Sequence, residues 1–79
     1  MNLQVNYFAL YREATGCATE AVNTDVATPE ALFKECAQRH PQLERFEASL
    51  VAINDAMVTW SAPLSEGDRV LFFPPVAGG

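Results

Sequence analysis

Seventy-nine residues suffice for one domain, and a domain of that size buries only about 60–65% of its unfolded surface, so a deep, enclosed active site is not expected. The composition, 49% hydrophobic and 19% charged, is globular, and no run of roughly 18 apolar residues is present to cross a membrane. Ten acidic residues against five basic ones give a net charge of −5, which repels nucleic-acid phosphates and favours a protein partner with a basic surface.

The opening MNLQVNYF has no basic residues ahead of an apolar stretch and no small-residue cleavage site. It does not read as a signal peptide, and the cytoplasm is the expected compartment. Leu3, Val5 and Tyr7 alternate with Gln4, Asn6 and Phe8, which predicts a strand over residues 2–9 with one buried face. Gly16 signals a turn in REATGC, after which TEAVNT returns as a second strand beside the first. Cys17 and Cys36 lack the CxxC spacing of a zinc or redox site, and a reducing compartment argues for two thiols, with Cys36 packed in a helix.

That helix begins at Thr28 as N-cap, with Pro29 at the first helical position and Glu30 near the positive end of the dipole. Leu32, Phe33, Cys36 and Ala37 form its apolar stripe, while Lys34, Glu35, Gln38 and Arg39 fall outside it. Pro41 ends the helix, and His40 beside it is expected to cap the C-terminus rather than to catalyse. In QLERFEASL, the spacing of Leu43, Phe46 and Leu50 predicts a further helical turn or two over the end of the core.

Asn54 and Asp55 then separate two apolar stretches, as in a tight hairpin whose turn needs positive φ. Trp60 either covers a core edge or belongs to an interface. Ser65 to Asp68 form a turn, in which Glu66 and Asp68 serve turn chemistry and no acid–base role, and RVLFF is the last strand.

The order β, β, α, β, β, β predicts an α+β domain in which one sheet carries one helix across a face. In the last strand Val70 and Phe72 point one way, Leu71 and Phe73 the other, and the helix can cover only one side. Phe8 likewise lies opposite Val5 and Tyr7. Phe8, Leu71 and Phe73 are therefore expected to form an exposed apolar patch of the kind that marks a partner site.

The order of elements, ALYRE closing the first strand, VAIN before the hairpin and the ending PLSEGDRVLFFPPVAGG together resemble the ubiquitin-like sulfur carriers that serve as small subunits of molybdopterin synthase. The resemblance covers essentially the whole chain. Ala77 stands where members often have Ser or Thr, a departure that keeps a small residue. The resemblance implies a ubiquitin-like β-grasp over residues 1–75, with a mixed four- to five-stranded sheet and one main helix packed on one face, and an extended Gly-Gly tail over residues 76–79. It implies that Gly79 is adenylated by an activating enzyme similar to ubiquitin-activating proteins, which consumes ATP, and becomes a thiocarboxylate. Sulfur would then pass, within the larger synthase subunit, to a cyclic pterin precursor and build the dithiolene that holds molybdenum.

In that picture the chain is a protein co-substrate that binds no cofactor or metal of its own, in a heterotetramer of two small and two large subunits. The resemblance adds Met57 to the patch. The expected partner-binding residues are then Phe8, Met57, Leu71, Phe73, Pro74, Pro75, Val76 and Ala77, with Gly78 threading the tail and Gly79 reacting. A sulfur carrier for thiamine or for tRNA thiolation, or an interaction domain whose tail is never activated, are the alternatives.

The residue types of FFPPVAGG suit that chemistry. A carboxylate is a poor acyl electrophile until a mixed anhydride supplies a leaving group, and the partner that makes the anhydride must admit the tail into its own site. Gly78 and Gly79 are narrow enough for a tunnel. Five residues from Pro75 to Gly79 reach about 16 Å, and Pro74 and Pro75 stiffen the base and end the sheet ladder.

Overall fold

A computed structural model describes residues 1–45 and 50–74. The alternation of the opening segment is realised in β1 (Asn2–Tyr7), which buries Leu3, Val5 and Tyr7 and turns its other side outward. The strand stops two residues earlier than the alternation predicts, because Phe8 and Ala9 already turn into α1 (Leu10–Thr15). This short helix is absent from the sequence reading. Six residues with Tyr11 alone buried carry no detectable period; its one legible mark is Gly16, which caps it in the left-handed conformation at φ 77°. β2 (Thr19–Asn23) returns antiparallel to β1, as expected.

The main helix α2 (Pro29–Arg39) starts where its cap predicts, the Thr28 hydroxyl accepting from the Ala31 N–H at 3.3 Å. Leu32, Cys36 and Ala37 are buried beneath it. Burial pushes the Cys36 thiol up to about 11, and Cys17 and Cys36 are both free thiols. A 3-10 turn (Pro41–Arg45) follows and buries Leu43, the first part of the expected helical cover. Phe46 lies outside the described residues.

Leu50 corrects the helical reading: it is the first residue of β3 (Leu50–Ile53), where strand alternation turns it outward and Val51 inward. Its spacing from Leu43 fits a helix without being one. β4 (Ala56–Val58) completes the hairpin, with Asn54 and Asp55 at φ 50° and 71° as such a turn requires.

β5 (Arg69–Phe73) runs parallel to β1 and antiparallel to β3, giving a mixed five-stranded sheet in the order β2-β1-β5-β3-β4. Its entry turn is held by side chains. The Ser65 N–H donates to Asp68 Oδ2 at 2.8 Å, Asn54 Nδ2 donates to Asp68 Oδ1 at 2.9 Å, and Glu66 Oε1 accepts from the Asn2 N–H at 3.0 Å. Both carboxylates therefore have the turn role expected of them. On the helix side Val5, Val51, Val70 and Phe72 are wholly buried. Phe33 meets Phe72 edge-on at 5.0 Å, and Trp60 stacks on Phe72 at 5.8 Å, so the indole covers the core edge.

His40 is the C-cap of α2, its N–H donating to the Cys36 carbonyl at 2.9 Å, and its ring does more than cap. Its Nε2 lies 3.2 Å from each Glu20 oxygen, the Tyr7 hydroxyl donates to Glu20 Oε1 at 2.7 Å, and Arg39 approaches the same carboxylate at 4.0 Å. One carboxylate thereby ties β2 to β1 and to the end of α2. Burial works to raise its pKa, but the hydrogen bonds from Tyr7 and His40 and the charges of His40 and Arg39 prevail and hold it below the ordinary 4.5.

A folded-state value below the unfolded one means that Glu20 stabilises the fold above about pH 4.5 and loses that contribution as the pH falls through the folded value. Glu20→Gln should accordingly be less stable than wild type at pH 6, with the gap narrowing as the pH falls below 4.5. Urea midpoints across that range check the expectation, and a gap undiminished at pH 3 contradicts it.

Candidate functional site

The face of the sheet turned away from α2 carries two rows of side chains set by strand register. Leu50 pairs with Phe73, and Phe8 follows the Tyr7–Phe72 pair, so Phe8, Phe73 and Leu50 stand side by side across three strands. The second row runs through Asn6, Leu71, Ala52 and Met57, each opposite the next. Directly opposed residues share a face, which is why alternation in four separate strands yields one surface.

Much of this surface meets solvent. Phe8, Leu50 and Met57 are 52%, 54% and 56% exposed, while Leu71, Phe73 and Pro74 are half-buried. The Phe8 and Phe73 rings meet at 5.7 Å with planes 66° apart, an edge-to-face contact that fixes each ring against the other. Phe8, Met57, Leu71 and Phe73 thus lie on the outer face, as expected for a partner site. Pro74 directly follows the outward Phe73, so β5 ends at the patch. Pro75, Val76, Ala77, Gly78 and Gly79 lie outside the described residues.

Leu50 is the patch residue that sequence reasoning missed. The signal was present in the period of two through LVAI, where Val51 and Ile53 point inward and Leu50 must point outward, but the segment before it read as helical.

The turn beside Phe8 is costly. Ala9 sits at φ 50°, ψ −117°, a region suited to glycine, and caps α1 without a side-chain hydrogen bond, a position where alanine is poor. Backbone bonds hold it there. The Ala9 carbonyl accepts from the N–H groups of Arg12 at 3.0 Å and Glu13 at 3.2 Å, and the Phe8 carbonyl accepts from that of Tyr11 at 3.0 Å. The turn takes the chain from the inward Tyr7 to the outward Phe8, and Leu10 beyond it is also exposed.

What this arrangement offers is apolar area on a rigid sheet beside the end of the last strand. Residues 5–79 of the chain match the ThiS family. The chain belongs to that family. It is 37% identical over 83 residues to the molybdopterin synthase sulfur carrier subunit of Escherichia coli (strain K12), with 98% of this chain and 99% of that one covered. Among solved structures, SAMP1 from Haloferax volcanii matches over the full length of both chains with a TM-score of 0.84 at 27% identity. A chain from the protein–protein complex of subunits 1 and 2 of molybdopterin-converting factor of Helicobacter pylori 26695 also matches over both full lengths, with a TM-score of 0.67; at 22% identity this is a likeness of fold. The ThiS-family chain has the ubiquitin-like β-grasp fold, as the resemblance implied.

Proposed function

We propose that this ThiS-family chain is the sulfur carrier subunit of a molybdopterin synthase. The observation that carries the reading is the full-length relation to a carrier subunit of that enzyme, 37% identical, in a chain whose outward apolar face adjoins the strand leading to its Gly-Gly end. The Gly79 carboxylate attacks the α-phosphorus of ATP in a ubiquitin-activating-like adenylyltransferase and pyrophosphate leaves. A sulfur nucleophile then displaces AMP and leaves a thiocarboxylate. The outer face docks on the large synthase subunit, the tail enters its active site, and sulfur passes to the cyclic pterin precursor.

A dithiolene holds two sulfurs, so two loaded carriers are consumed per pterin, which suits an assembly of two small and two large subunits. A complex of two different subunits is what the Helicobacter pylori structure contains, and the acidic balance of this chain favours a basic partner. The reaction needs ATP and a reducing medium for the sulfur donor, and both fit the cytoplasm.

Intact mass of the chain recovered from its own cells tests the reading. One oxygen replaced by sulfur at Gly79 is the expected result, together with dithiolene formation when the loaded chain is mixed with the large subunit and the pterin precursor. A loaded chain that gives its sulfur to a thiazole or tRNA acceptor and not to the pterin overturns the assignment.

A further inference from the structure

We propose that Met57 is an oxidation-sensitive site on the docking face, at which a hydroperoxide converts the thioether to a sulfoxide and weakens the hold on the large subunit. The inference rests on the docking role assigned to that face. The protein has two methionines, and the fold treats them differently. Met1 is half-buried against the core, and its amino group donates to the Thr24 carbonyl at 2.6 Å. Met57, 56% exposed at the centre of β4, is the one that meets solvent freely.

The competing sulfurs are sheltered. Cys36 is wholly buried, and burial disfavours its thiolate, the form that peroxide attacks. Cys17 is half-buried, with its sulfur 3.6 Å from the Thr15 hydroxyl. A thioether needs no deprotonation to react, so the exposed Met57 is open to peroxide at any pH.

The chemistry is a two-electron transfer. A lone pair on sulfur attacks one oxygen of the peroxide, the O–O bond breaks, the S–O bond forms, and the peroxide is reduced to water or an alcohol. The product is polar. Met57 stands at the end of the row through Leu71 and Ala52, and a sulfoxide there must give up its water when an apolar partner covers it. The fold does not share that cost, because the side chain points away from α2 on an edge strand.

Hydrogen peroxide titration of the full chain, read by peptide mass mapping and by calorimetry with the large subunit, tests the inference. The first oxygen should appear on Met57, affinity should fall about tenfold or more with no change in melting temperature, and methionine sulfoxide reductase should restore it. Met57→Leu, whatever its own starting affinity, should lose none of it on peroxide treatment. First oxidation at Met1 or Cys17, or unchanged affinity of the Met57 sulfoxide, overturns the proposal. The untreated chain tests the docking reading separately: no binding before peroxide overturns that reading, whereas normal binding before and after overturns the role of Met57 alone.

Discussion

Phe73→Glu should leave the domain folded and abolish its complex with the large subunit. Phe73 stands between Phe8 and Leu50 in the first row of the outer face, its ring in contact with that of Phe8 and its backbone paired with Leu50. Aromatic anchors at the centre of an interface typically cost about 2 kcal/mol or more when removed, which is roughly a thirtyfold loss of affinity. A carboxylate costs more than simple removal, because docking would strip its water without supplying a partner charge.

The fold should tolerate the change because the next residue inward, Phe72, carries the core contacts with Phe33 and Trp60. What the isolated chain loses is chiefly the edge-to-face contact with Phe8, about 1 kcal/mol. Phe72→Glu is the contrasting variant and should unfold the domain. Wild-type affinity of a folded Phe73→Glu chain, measured by calorimetry, contradicts the placement of the docking face.

The parts of this fold that were legible in sequence are those with a strict period or a specific terminal residue. Two turns of apolar spacing behind Thr28 and Pro29 identified α2, and alternation in NLQVNY and RVLFF identified both the central strands and the side each residue faces. Asn54 and Asp55 marked the hairpin because few residue pairs accept positive φ in succession.

What escaped was set by tertiary context. α1 is too short for a period and is capped by Ala9, a residue with neither the glycine freedom nor the capping side chain that its backbone asks for. Leu50 is the first residue of its strand, after a segment whose spacing suits a helix, so the short alternation of LVAI is masked until its pairing with Phe73 is known. The Glu20 carboxylate on β2 gathers Tyr7 from β1 and Arg39 and His40 from the end of α2, and no local pattern brings those positions together. Of the site, Phe8, Leu71 and Phe73 were readable from strand alternation, whereas Met57 came with the family resemblance and Leu50 needed the pairing of β3 with β5.

Deleting Gly79 should reduce thiocarboxylate formation to an undetectable level without changing the melting temperature. The proposed chemistry begins at one carbon, and removing a residue draws the carboxylate back by about 3.3–3.6 Å along an extended tail. Reacting atoms must come within about 3–3.5 Å, and misplacement by even about 1 Å can cost roughly a hundredfold, so a full residue puts the terminus out of reach of the nucleotide.

Gly78→Val separates length from width. It keeps the carboxylate in place but adds a branched side chain and narrows φ/ψ at the tail, so loading should again fall sharply in a chain as stable as wild type. Loss of loading in both variants supports a narrow, length-matched channel in the activating partner. Normal thiocarboxylate formation by the chain lacking Gly79, detected by intact mass after incubation with ATP, the activating enzyme and a sulfur donor, shows that the reacting carbon is not the one assigned.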